Sequence, residues 1–114
     1  MATKAWVIRE IRTFIEDTLY RPNKGLLKTR KRDAFIEICV MRHTLLEAAK
    51  RVYASELDPY VILEDMMWDQ EAYMYQAHQD KAFMFEAAYL VLSDLLAYLY
   101  TIDPDYSEEG VCIR

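Results

Sequence analysis

Two spacings in the sequence could hold chemistry. His43 and Glu47, four residues apart in a stretch of helical periodicity, are placed either to share a metal ion or to pair weakly across one helical turn. Glu64, Glu71 and His78 recur every seven residues on one rail of a helix. Seven residues advance a helix by about 10 Å, whereas one ion needs its ligands at about 2 Å, so that rail does not close on a single metal. The Glu-x-x-His pair of di-iron bundles is missing, and two histidines without clustered cysteines are a thin ligand supply. No metal and no cofactor are expected.

Catalytic arrangements are equally thin. There is no glycine-rich phosphate loop and no nucleophile elbow. Glu64, Asp65, Glu71 and Asp94 do not reproduce the paired acidic spacing found in nucleotide pyrophosphohydrolase bundles. No catalytic residue is assigned, and the expectation is a protein that works by binding.

Binding candidates come from residues on the wrong side of their helices. Val61, Trp68, Ala72 and Tyr75 form an apolar line well away from the stripe of Leu63 and Met74, and Phe83 and Leu90 extend it. Trp6 lies opposite the stripe of its own helix, among Arg9, Glu10, Thr13 and Asp17. Tryptophan and tyrosine dominate interface energetics, so Trp68, Tyr75, Val61, Ala72 and Trp6 read as a surface for another protein or a second copy of the chain. Arg42 and Gln70 sit in the middle of apolar stripes and are expected to form a buried polar network, since a buried guanidinium must be paired.

Charge is divided along the chain. Residues 1–51 hold 12 of the 14 lysines and arginines against 6 of the 19 acids, and residues 52–114 hold 2 against 13. Lys24, Lys28, Arg30, Lys31 and Arg32 put five cations into nine residues at the start of a predicted helix, where the helix dipole disfavours them and an anion would compensate. The cluster could contact phosphates or an acidic partner. No aromatic residue interleaves it and no helix-turn-helix signature follows, so nucleic-acid binding is the secondary expectation. The acidic half suggests a further version of protein binding, an inhibitor of phage or plasmid type that occupies a basic groove of a nucleic-acid enzyme.

These side chains need helices to position them. The chain has 114 residues, 54% of them hydrophobic and 29% charged, with two glycines and three prolines, a composition that favours one helical domain over many short strands. Thr3 is the expected N-cap of a helix over about 4–20, with Val7, Ile8, Ile11, Phe14, Ile15, Thr18 and Leu19 on one stripe. Asp33 or Thr29 caps a second helix over about 32–54, striped by Phe35, Ile38, Cys39, Leu45, Leu46, Ala49, Val52 and Tyr53. Asp58-Pro59 is the sharpest boundary in the sequence, because the carboxylate can accept from free amides and proline lacks only an unused donor.

Residues 59–101 pose the main choice. As one helix they would form a rod of about 63 Å with half its stripe uncovered, which would require a three-helix dimer. His78-Gln79-Asp80-Lys81 interrupts the stripe, and Asp80 can cap a new helix. We therefore expect an all-α, four-helix bundle-like domain over residues 1–102, with helices over about 4–20, 32–54, 59–77 and 81–101 and an acidic, flexible tail at 103–114. No apolar run is expected to reach the ~18 residues of a membrane span, and Arg9, Glu10 and Arg12 come too early for a signal-peptide core. Cys39 reads as a buried thiol and Cys112 as a tail thiol. The function that follows is a small, cytoplasmic, protein-binding module of regulatory or inhibitory character.

Overall fold

Two of the helix starts are set by side chains that satisfy free amides. In the computed structural model, which describes residues 3–20 and 31–103, Thr3 Oγ1 accepts from the Trp6 N–H at 3.1 Å and opens α1, Lys4–Ile15. A π-helical turn, Glu16–Tyr20, prolongs it. Next comes α2, Lys31–Ala54. Asp33 lies inside that helix and is not its cap, while Thr29 falls outside the described residues. Asp58 Oδ1 accepts from the Tyr60 N–H at 2.9 Å, with Pro59 in the first position of α3, Pro59–Gln76. The fourth helix, α4, is Gln79–Ile102.

The break between α3 and α4 decides the architecture. Ala77 (φ −82°, ψ 156°) and His78 (φ −64°, ψ 152°) are both extended, so two consecutive residues leave the helical path. The Ala77 N–H closes α3 on the Tyr73 carbonyl at 2.9 Å, and the His78 carbonyl accepts from the Lys81 and Ala82 N–H groups at 2.9 Å to start α4. His78, not Asp80, occupies the N-cap position, and its side chain makes no capping bond. The chain therefore folds back. Its longest dimension is 41 Å, against about 63 Å for the rod.

Among the described residues the helices form an all-α four-helix bundle. The α3–α4 hairpin is its most extensive pairing, α2 packs on α4 and more lightly on α3, and α1 packs on α2 and touches α4. Val7 and Ile11 of α1, Leu45, Ala48 and Val52 of α2, Leu63 of α3, and Leu92, Leu95 and Leu99 of α4 are all but inaccessible to solvent. Each such valine, leucine or isoleucine side chain contributes about 1.5–3 kcal/mol by leaving water, and the Ala48 methyl about 0.8 kcal/mol. This core occupies one end of the bundle. None of the described side chains between residues 67 and 86, or between 35 and 43, is buried.

The buried face of α2 keeps only part of the stripe expected from the sequence: Leu45 and Val52 are fully buried and Ala49 packs against the core, but the larger apolar residues are not enclosed. Thr44, Leu45, Ala48 and Val52 point inward, while Phe35 (66% exposed), Leu46 and Tyr53 (76%) face out and Cys39 is an exposed free thiol. At about 100° per residue the inward face is rotated roughly a quarter turn from the expected one. Small Ala48 lets α1 and α4 approach closely, and Thr44 hides its hydroxyl by donating to the Val40 carbonyl at 2.7 Å. The same rotation carries Arg42 out of the core: it is exposed, so the expected buried network with Gln70 does not form, and Gln70 is only half-buried.

The expectation about apolar length is also corrected. Lys81–Ile102 of α4 is long and apolar enough to cross a membrane by length and composition. In the fold, its Val91, Leu92, Leu95, Leu96 and Leu99 belong to the bundle core.

At the sealed end of the core, α4 closes onto the start of α3. Tyr60 and Tyr100 stack with ring centroids 4.7 Å apart, and the Tyr60 hydroxyl donates to Asp103 Oδ2 at 2.6 Å. Asp103, the first residue assigned to the tail, is 2% exposed and packs with the bundle. The remainder of that tail lies outside the described residues. Nearby, Phe14 leans on Tyr98 at 5.4 Å, and the Tyr98 hydroxyl donates to Glu10 Oε1 at 3.0 Å. Burial, the hydrogen bond to Glu10, and the charges of Glu10 and Asp17 together hold Tyr98 above the ordinary tyrosine pKa.

Removing one donor from buried Asp103 in Tyr60→Phe should lower unfolding stability by about 1.5–3 kcal/mol in urea denaturation; a loss under about 0.5 kcal/mol would contradict this account of the seal. Tyr98 gives a pH test. The folded state keeps that proton to higher pH than the unfolded chain, so its contribution is intact below about pH 10 and declines as pH rises through the folded value. Stability followed from about pH 9 to about pH 11.5 should fall more steeply in the wild type than in Tyr98→Phe.

Candidate functional site

The outer face of the α3–α4 hairpin gathers the sequence-derived candidates. Val61, Trp68 and Tyr75 stand seven residues apart on α3 and are 45%, 52% and 79% exposed. Seven helical residues return within about 20° of the starting direction, so the three project as one row about 21 Å long. Ala72, also exposed, sits between Trp68 and Tyr75 on the same face. Exposed Leu90 lies on α4, whereas Phe83 is half-buried.

The row is held rather than loose. Trp68 leans on Tyr89 of α4, ring centroids 6.4 Å apart and tilted by 52°, so the indole is braced from one side and open on the other. Bracing lowers the ordering cost of burying it against something else. Sequence reasoning missed this contact, because it depends on where the hairpin places Tyr89.

Acids border the row on both sides. Toward α4 stand Glu64 and Glu71, and Glu64 Oε1 accepts from the Tyr100 hydroxyl at 2.7 Å. Toward α2 stand Asp65 and Asp69, both exposed, beside a surface depression that also includes Arg51 and Ser55. No lysine or arginine occurs in α3. The α3 residues therefore form an aromatic ridge between two acidic margins, with Arg51 of α2 beyond Asp65 and Asp69.

Trp6 does not join it. Trp6 is half-buried and packs against the core from α1, on another side of the bundle. The basic cluster is divided by what the structure describes: Lys24, Lys28 and Arg30 lie outside the described residues, and Lys31 and Arg32 fall in the first turn of α2. Its expected role with phosphates or an acidic partner stays an expectation.

A second feature had no sequence signal. Toward the less covered end of the bundle, α2, α3 and α4 line a groove of about 690 Å³, with Val40, Met66, Met84 and Phe85 in its apolar lining and His43, Glu47 and Gln70 among its polar groups. Tyr73 and Phe85 close part of that end at 5.7 Å. His43 and Glu47 thus share a groove as well as a helix face. Among the described residues, no group of three or more His, Cys, Asp and Glu side chains is arranged to hold a metal ion.

No family model, curated protein or solved structure matches the chain. The functional reading thus rests on the surface itself.

Cys39 offers a direct check on the orientation of α2. In a Cys112→Ser background the native protein should react at one thiol with a water-soluble disulfide reagent, at a rate near that of the denatured chain. Protection by more than about a hundredfold would place Cys39 inside the core and refute the quarter-turn rotation.

Proposed function

We propose that the chain is a small helical protein-binding module whose docking surface is the Val61, Trp68, Ala72 and Tyr75 row of α3. The observation that carries this reading is the alignment of three large apolar side chains on a helix that already buries Leu63 and Met66 on its other side. An α-helix apolar on two faces needs cover for both, and the bundle supplies only one. The braced indole of Trp68 beside exposed Tyr75 has the chemistry of an interface hot spot, and the acidic margins would orient a partner and repel wrong ones. The module acts by occupying a surface of its partner, which accords with a regulatory or inhibitory role and requires no catalytic group.

The acidic margins also disfavour nucleic acid as the ligand of this face, since phosphates would meet Glu64, Asp65, Asp69 and Glu71. A nucleic-acid reading would have to run through the Lys24 to Arg32 cluster.

Trp68→Ala with Tyr75→Ala should weaken association by at least about thirtyfold, the equivalent of one hot spot of about 2 kcal/mol, while the thermal unfolding midpoint stays within a few degrees of wild type. Association would be followed by co-purification from the native host and by light scattering. If binding survives in the double variant with the fold intact, the docking surface lies elsewhere.

A further inference from the structure

We propose that a cationic groove between α1 and α2 receives the Trp68 row of a second copy of this chain, so that the protein associates with itself head to tail. The inference rests on the docking role given above to the α3 row and names its occupant.

The groove has a volume of about 760 Å³ and is lined by Lys4, Ala5, Ile8, Arg9, Arg12 and Tyr53. Ala5, Ile8 and the Tyr53 ring make an apolar floor, and the three basic residues form a rim with no acid among the six. Lys4 does meet Glu56, at 3.4 Å, but the Glu56 side chain is 97% exposed and such a pair is worth at most about 1 kcal/mol, so it yields readily to a better acidic partner. Arg9 approaches Glu10 at only 3.9 Å and keeps 71% of its side chain in solvent. Tyr53, 76% exposed, is an aromatic residue without cover.

This groove is the chemical complement of the row. One offers an apolar floor with cationic edges, and the other an aromatic ridge with acidic edges. Lys4 to Arg12 covers about 12 Å of α1, which matches the two turns of α3 around Trp68. The groove and the row of one molecule cannot satisfy each other, because α1 packs on α2 and α4 and makes no substantial pairing with α3. Like charges oppose the two symmetric alternatives, row on row and groove on groove. What remains is the contact of unlike patches, which extends from copy to copy unless its rotation closes a ring.

The test uses the full chain and two variants: Trp68→Ala with Tyr75→Ala removes the row, and Arg9→Glu with Arg12→Glu reverses the groove. All four positions are exposed, so both variants should keep the wild-type circular dichroism and unfolding curve. Mass would be measured by light scattering after size exclusion over a concentration series up to about 0.5 mM, between about 50 and 300 mM salt. The wild type should grow beyond a monomer with concentration and shrink with salt. The row variant alone should associate at least about thirtyfold more weakly and the groove variant at least about tenfold, and an equimolar mixture should form a one-to-one dimer and nothing larger, because one intact row then meets one intact groove. A monomeric wild type at every concentration overturns the inference and leaves the row free for a foreign partner. A row variant that fails while the groove variant still assembles overturns the groove as occupant and retains the row as the docking surface. Two monomeric variants that do not recombine on mixing also overturn it.

Discussion

Everything in this fold depends on the chain leaving the helical path for two residues, Ala77 and His78. The extended pair lets α3 lie back along α4, and that hairpin is the platform on which α2 and then α1 pack. No glycine or proline forces the break. It is stable because the groups a break exposes are re-satisfied: Ala77 still donates to Tyr73, and the His78 carbonyl collects two amides of the next helix. The turn is thus sustained by packing on both of its arms more than by local propensity, and continuous helix would leave Leu92, Leu95 and Leu99 without the cover of Leu63 and Met66.

The second consequence of that geometry is an uneven interior. Where α1 covers the bundle, aliphatic side chains from all four helices are sealed, and the Tyr60 to Asp103 hydrogen bond closes the end. Where the described part of α1 stops, α2 and the hairpin continue with aromatic and sulfur-containing residues that are only partly covered, around an open groove. The proposed docking row spans this boundary: Val61 stands beside the sealed end and Tyr75 at the open one.

Much of this was legible in residue order. Thr3 and Asp58-Pro59 announced their helix starts, because capping is a local matter of one oxygen and one amide. The hairpin was legible from length and polarity, since a long rod would leave its stripe bare. The row on α3 was legible because period seven survives any error in helix ends. The orientation of α2 was not. Periodicity weighs side chains by size and hydropathy, and there the packing chose small Ala48 and self-satisfied Thr44 over Phe35, Leu46 and Tyr53 for closeness of approach. That error also displaced Arg42 and Cys39 to the wrong side. The bracing of Trp68 by Tyr89, the cationic groove and the open-end groove join residues from different helices, and no single-helix pattern records them.

The uneven interior sets how the molecule yields. The aliphatic end, with α4 at its centre, can open only in global unfolding, whereas the tip around Ala77 and His78 can loosen by itself at a smaller cost. Backbone amides near the tip would then exchange with solvent through local opening, on a scale separate from those of Leu92 to Leu99. A partner seated near Tyr75 would slow that exchange without changing the slowest amides. The chain thus joins a sealed aliphatic end to a thinly covered tip around Ala77 and His78.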